Sequence, residues 1–274
     1  MAKIVRVLIL RTEGTNCDQE TAFAFKEFGA DVKLVHINRF IEKRDSLFNY
    51  HILSIPGGFS YGDDIASGRI LANELRFYLI DEIIEFIRTG RLIIGICNGF
   101  QVLVKAGILP GIDRWTDRGS SPTQTATLIS NDSGKFEDRW VYLKVTGNSP
   151  WTQGLSDIIY LPVAHAEGKF VVKNKKLLRQ LKDNRQIAFK YCNDPRMRID
   201  DNIVQYPANP NGSVDNVAGI TDISGHVLGM MPHPERHFLF HQHPYWRRLG
   251  MVGKFGDGAL IFKNGVEYIE KNLL

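Results

Sequence analysis

Apolar residues fall along this chain in two alternating rhythms. Ile4–Leu10 is a near-continuous apolar run, the pattern of a strand buried on both faces. Asp18–Phe28 places Ala22, Phe25 and Phe28 at helical spacing, and Gly29 stands where a helix is terminated. Asp31–Ile37 and Tyr50–Ile55 predict two further strands, the second stopped by Pro56-Gly57-Gly58. Asn73–Thr89 is amphipathic with a helical period and closes at Gly90. Leu92–Ile96 is a fourth strand, with a helix over Gly99–Ala106 directly behind it. Strands and helices that alternate with short connections form βαβ units, and these imply a parallel sheet covered by helices on both faces.

Past residue 120 the rhythm shortens. Strands are predicted over Thr125–Ile129, Trp140–Val145, Ile158–Val163, Gln186–Tyr191, Val217–Thr221 and Val227–Met231, with Pro, Asn and Gly clustered between them. Helical spacing returns at Phe262, Val266, Ile269 and Leu273. There is no linker, repeat or low-complexity tract, so residues 1–274 read as one domain.

Composition narrows the function classes. The 274 residues are 43% hydrophobic and 23% charged, which excludes disordered and collagen-like chains. The longest apolar runs fall well short of the roughly 18 to 20 residues needed to cross a bilayer, so no membrane partner is expected. Met1-Ala2-Lys3 leads straight into the first strand with no cleavage-site pattern, and no signal peptide is expected. A net charge of +4, with basic residues scattered, is too mild for a nucleic-acid surface. The densest basic cluster, Lys173, Lys175 and Lys176, reads as a solvated segment. Three cysteines, Cys17, Cys97 and Cys192, are too few for a disulfide framework and suit a reducing, cytoplasmic setting. No phosphate-binding glycine loop is present, so no nucleotide is expected on this chain.

Three segments carry candidate chemistry. In Gly95-Ile96-Cys97-Asn98-Gly99 a strand ends at a cysteine flanked by glycines, and a helix follows. This is the layout of a strained strand-to-helix turn that exposes a nucleophile. A helix dipole there stabilises a thiolate, and the Asn98 N–H points at a developing oxyanion. The same residues also suit a small buried hydrophobe at a strand end. In Met231-Pro232-His233-Pro234-Glu235 two prolines stiffen the chain around His233. Extended backbone would put His233 and Glu235 on one face, so that the carboxylate orients the imidazole. Taken alone, His233 equally suits a structural histidine. Pro56-Gly57-Gly58-Phe59-Ser60 leaves backbone N–H groups exposed after a strand, as an oxyanion hole or an ordinary βα turn requires.

His233, His237, His241 and His243 suggest a rival metal cluster, but Pro232, Pro234 and Pro244 interrupt the helix that such spacing needs, and no metal is expected. Cys17 and Cys192 read as bystanders, with a binding role left open for the loop at Asn16 and Cys17.

With the Gly95–Gln101 and Pro232–Arg236 segments together, the chain resembles the class I (triad) glutamine amidotransferases. More narrowly it is similar to the glutaminase subunits of phosphoribosylformylglycinamidine (FGAM) synthase. Gly14-Thr15-Asn16-Cys17-Asp18, Gly57-Gly58-Phe59-Ser60-Tyr61-Gly62-Asp63-Asp64, Asn131-Asp132-Ser133-Gly134-Lys135-Phe136-Glu137 and Asn209-Pro210-Asn211-Gly212-Ser213 carry that narrower likeness.

The resemblance implies a flavodoxin-like, three-layer α/β sandwich with a mostly parallel central sheet and extra antiparallel strands. It implies a Cys97–His233–Glu235 triad that hydrolyses L-glutamine through a Cys97 thioester. Gly57, Gly58, Phe59 and Asn98 would form the oxyanion and substrate site, Gln101 would line the glutamine pocket, and His165 and Glu167 would contribute loop contacts. Ala166 stands where the family usually has glycine, and the chain is longer than many members, with extra length around 191–202 and 241–256. The family partner is an ATP-dependent synthetase subunit, often with a small third subunit. ATP and Mg are expected on that partner, and no cofactor on this chain. Other readings are a glutaminase serving a different synthase, a Cys-nucleophile α/β-hydrolase, or a non-catalytic module on the same fold.

Overall fold

A computed structural model describes residues 4–112, 122–197 and 203–274. Residues 1–3, and positions 198–202 of the extra stretch noted above, lie outside the described residues. The strands are β1 (Arg6–Arg11), β2 (Asp31–His36), β3 (Ile52–Ile55), β4 (Leu92–Ile96), β5 (Ala126–Ile129), β6 (Glu137–Val145), β7 (Ile158–His165), β8 (Lys169–Val172), β9 (Ile187–Cys192), β10 (Val217–Thr221) and β11 (Val227–Met230). The helices are α1 (Asp18–Lys26), α2 (Asn38–Ile41), α3 (Arg69–Glu74), α4 (Ile80–Arg88), α5 (Asn98–Lys105), α6 (Lys175–Asp183) and α7 (Ala259–Asn272).

Among the described residues nine strands form one sheet in the order β2-β1-β3-β4-β11-β10-β9-β6-β7, and β5 pairs with β8 in a separate ribbon. Strands β2 to β11 in that order are parallel, and the remainder of the sheet is antiparallel. β4 and β11 are buried at every position, as strands covered on both faces must be. The β1–α1–β2 and β3–α4–β4 crossovers run in opposite directions from the sheet centre. Right-handed connections therefore put α1 and α4 on opposite faces. α7 packs beside α1, with Phe25 and Phe262 edge to face at 5.0 Å. The flavodoxin-like α/β class expected above is the observed one.

Two elements depart from the pattern read along the chain. The single helix expected over Asn73–Thr89 is interrupted by a wide turn at Leu75–Leu79, so α3 and α4 are separate. That extra turn resets the register and lets Leu71, Leu75, Leu79, Ile80, Ile83 and Ile87 all reach the core. The lysine-rich segment is the start of α6. Asn174 caps it by accepting from the Leu177 N–H at 2.9 Å, and only Leu177 and Leu181 are buried along it. Two core positions are too faint a stripe to read without the cap.

The antiparallel half curls strongly. Irregular pairing around Gly219 sits where a side chain would meet Met230 and Phe189, and such bulges bend a sheet. The curl brings β7, the far edge strand, back to the centre. The Pro162 carbonyl accepts from the His233 N–H at 2.8 Å, just beyond β11.

Candidate active site

β4 and β11 are parallel neighbours, and Ile96 stands opposite Met230. Both chains leave the sheet at its carboxyl edge, where open α/β sheets bind ligands. Cys97 and His233 therefore emerge at the same place because of register alone, although 136 positions separate them.

Cys97 has φ 50° and ψ −103°, outside the regions an L-residue favours. It is held there by its N–H, which donates to the Met230 carbonyl at 2.8 Å, and its carbonyl, which accepts from the Gln101 N–H at 3.1 Å. Strain of this kind costs about 1–3 kcal/mol and is stored where geometry matters more than stability. The flanking glycines serve packing, and neither has a positive φ. A methyl on Gly99 would overlap the Ile55 carbonyl, and one on Gly95 would lie 2.6 Å from the Gly99 carbonyl oxygen. The turn is thus wedged between β3 and its own helix, and Cys97 alone bears the strain.

His233 and Glu235 meet through a 2.6 Å contact between Nδ1 and Oε1, and both are buried. The expected extended backbone is not what joins them. Pro234–His237 is a single 3-10 turn beginning at His233, and it folds Glu235 back onto the ring. Burial opposes protonation of His233, but the Glu235 carboxylate and the Cys97 sulfur outweigh it and hold the imidazole pKa well above its ordinary value. With Nδ1 taken by Glu235, Nε2 has no partner among the described residues.

The glycine turn after β3 sorts the expected oxyanion donors. Phe59 is corrected: its N–H donates to the Gly14 carbonyl at 2.9 Å, and its ring is half exposed. Gly58, at φ 138°, and Asn98, at the first position of α5, donate their N–H groups to no backbone carbonyl among the described residues. Gly57 supplies clearance, since a methyl there would lie 2.8 Å from His233 Cε1.

The remaining expected contacts form a scaffold around this centre. Gln101, expected to line the glutamine pocket, is braced on both ends of its amide. Its Nε2 donates to the Glu167 carbonyl at 2.6 Å, and its Oε1 accepts from Asn98 Nδ2 at 3.1 Å. Asn98 Nδ2 also reaches Asp63 at 3.0 Å. His165 is buried between Asn131 at 3.1 Å and Asn211 at 3.4 Å. Burial, with the nearby charge of His233, lowers its pKa to about 4, so it is a neutral strut. Glu167 receives Lys105 Nζ at 3.5 Å. The neighbouring carbonyl of Ala164 is 3.5 Å from Cys97 Sγ, while Ala166 is exposed.

Cys17 is no bystander. It lies at the end of the β1 loop, 1% exposed, with Sγ 4.0 Å from His233 Nδ1 and 3.1 Å from Arg236 Nη2. Its position after a parallel strand's carboxyl end was the available signal. Cys17, His233 and Glu235 bring donor atoms within 4.8 Å of one another. The Arg236 guanidinium on the sulfur sets a fixed positive charge against any cation there. The rival histidines do not join them: His237 and His243 pack with Trp140 and Tyr160 in an aromatic cluster, and His241 meets Phe240 edge-on. Among the described residues no helix is long and apolar enough to cross a membrane.

A thiol on a strained turn at this edge of a flavodoxin-like sheet, facing an imidazole whose carboxylate follows it in sequence, has the arrangement of the class I glutamine amidotransferases. An α/β-hydrolase would instead place the acid between nucleophile and histidine. Residues 4–269 match the CobB/CobQ-like glutamine amidotransferase domain model, and the chain belongs to that family. It is 45% identical over 266 residues to the phosphoribosylformylglycinamidine synthase subunit PurQ of Dehalococcoides mccartyi, covering 96% of this chain and 97% of that protein. Against the PurQ subunit of Archaeoglobus fulgidus it is 42% identical over 278 residues, 97% of this chain and 98% of the other. Among solved structures it is similar to a chain in the structure of PurLQS from Thermotoga maritima. The TM-score is 0.71 at 28% identity, covering 97% of this chain and 100% of that one.

Proposed function

We propose that this chain is the glutaminase subunit of an FGAM synthase, a single-domain cytoplasmic protein that supplies ammonia to a synthetase partner. The observation that carries the reading is the convergence of Cys97, on its strained turn, with the buried His233–Glu235 pair at one sheet edge. Full-length similarity to PurQ subunits and to a PurLQS chain supports the choice of synthase.

In this mechanism the Cys97 thiol gives its proton to His233 Nε2, and Sγ attacks the side-chain amide carbon of L-glutamine to form a carbon–sulfur bond. The oxyanion is received by the N–H groups of Gly58 and Asn98. His233 Nε2, protonated and held by Glu235, gives its proton to the amide nitrogen, and ammonia leaves as the carbon–nitrogen bond breaks. Water then attacks the thioester, its proton passing to His233. The carbon–sulfur bond breaks, His233 returns that proton to the sulfur, and glutamate departs. The raised basicity of His233 suits an imidazole that must collect a proton before it delivers one.

Ammonia that meets water is protonated and lost as a nucleophile, so release has to be coupled to an acceptor. We assign the ATP- and Mg-dependent conversion of formylglycinamide ribonucleotide to FGAM to the synthetase partner, with a small third subunit completing the assembly. No cofactor is assigned to this chain. The test is glutamate release from glutamine by the full chain, alone and with its cognate synthetase. Low activity alone and strong stimulation by the partner are expected. A fully active lone chain, or no hydrolysis with the partner present, overturns the proposal.

A further inference from the structure

Glu235 presents an inconsistency that its neighbour resolves. Its Oε1 holds His233, but Oε2 is buried with no partner among the described residues. The next residue is an arginine. A guanidinium beside a buried carboxylate ordinarily closes a two-pronged pair with it. Arg236 does not. Its Nε donates to Glu20 Oε1 at 2.9 Å and its Nη2 to Cys17 Sγ at 3.1 Å, both at the start of α1.

We propose that Cys17 is a positioning residue for the glutaminase reaction: its sulfur docks Arg236 against α1, away from Glu235, so that the carboxylate acts on His233 alone. The inference rests on the triad reading given above.

The sulfur is well suited to the task. Its backbone is pinned, since the Cys17 N–H donates to the Gly57 carbonyl at 3.2 Å and its carbonyl accepts from the Thr21 hydroxyl at 2.6 Å. Burial raises the Cys17 pKa to about 11, so the group stays a thiol. The S–H points to Asn16 Oδ1 at 3.2 Å, and the sulfur lone pairs remain for Arg236. At 4.0 Å from Nδ1, a weak acceptor such as sulfur does not compete with Glu235 for the ring proton. Without this docking point only the Nε–Glu20 pair holds the guanidinium, and its freed Nη2 turns to Glu235 Oε2. The carboxylate is then shared, and the imidazolium loses the charge that holds its pKa up. Among the described residues the ionisable groups facing His233 are Glu235 on its own turn, Cys17 from the start of α1, Cys97 after β4 and His165 at the end of β7, with Arg236 and Glu20 beyond Cys17 and Glu235.

The experiment measures kcat, KM and their pH dependence for the full chain with its synthetase. Cys17→Ala should lower kcat about tenfold with KM within about twofold, and should move the acid limb to lower pH by about half a unit or more. Cys17→Val, of similar volume and with no acceptor, carries the same arm if the alanine variant does not fold. Cys17→Ser keeps an acceptor for Arg236 and should stay within about threefold of the parent with its limb unmoved. Adding Arg236→Gln to Cys17→Ala removes the intruding guanidinium and should return the limb to the parental pH or above it. A Cys17→Ala or Cys17→Val enzyme with parental kcat and profile overturns the proposal. So does a lowered kcat with an unmoved limb, or a double variant that keeps the shifted one. Cys97→Ala, run alongside, separates the two readings, because glutamine hydrolysis that survives it refutes the triad whatever the Cys17 variants do.

Discussion

Gly57 lies flush against His233: a methyl on its α-carbon would stand 2.8 Å from the imidazole Cε1 and 3.0 Å from Cys17 Sγ. Gly57 does not have a positive φ, so substitution there tests clearance alone. Gly57→Ala should destabilise the fold by about 1–3 kcal/mol, as overpacking does, while displacing the ring and cutting kcat more than about tenfold. Thermal unfolding and glutamate release on the same sample check both. An unchanged kcat would show that the ring has room the structure does not give it.

Replacing the three central residues should produce a graded loss. Cys97→Ala and His233→Ala are expected to remove glutamine hydrolysis by about 10⁴-fold or more, since members of such a unit act together. Glu235→Gln keeps the shape and loses the charge, so a milder loss of about 10²-fold is expected. Assays with the synthetase present report the intended step. Equal, small effects at all three positions would remove them from the chemistry.

A glutamine-like diazo-ketone should modify Cys97 and leave Cys17 untouched. Burial lifts the Cys17 thiol to about pKa 11, and Arg236, Asn16 and His233 enclose it. Peptide mapping after labelling distinguishes the two sulfurs, and a label on Cys17 in the folded chain would contradict the assignment.

Acid should weaken the fold through His165. Its pKa is about 4 when folded and near 6.5 when the chain is open, with burial the main cause and His233 the second. The unfolded chain therefore takes the proton first. The contribution is fully present above about pH 6.5 and is lost as pH falls toward 4, to a limit of about 3 kcal/mol. Urea midpoints measured across that window should fall more steeply for the parent than for His165→Gln. Parallel slopes would show that His165 is already charged in the folded state.

The sequence exposes the parallel half of the sheet well because a buried parallel strand is a run of apolar residues, and β4 matches its expected bounds of Leu92–Ile96. Cys97, His233 and Glu235 are legible for a related reason: glycines clear the space around the Cys97 turn, and prolines flank His233. Hydrogen-bond partners leave no such mark. Nothing in the residue order says that Phe59 N–H is taken by Gly14, that Gln101 braces the Glu167 loop, or that Arg236 turns to α1 instead of its neighbour. The partners of Cys17 leave no mark either, although its place after β1 does. Its contact with His233 spans 216 positions and depends on β1 and β11 ending at a common edge.

The curl of the sheet also means that its outer edge bears on its centre. Through the Pro162 and Ala164 carbonyls, the outermost strand β7 grips the His233 backbone at 2.8 Å and touches the Cys97 sulfur at 3.5 Å. The outer hairpin of β6 and β7, far along the chain from both reactive residues, is thus part of their immediate packing, and an edge strand serves as one wall of the site.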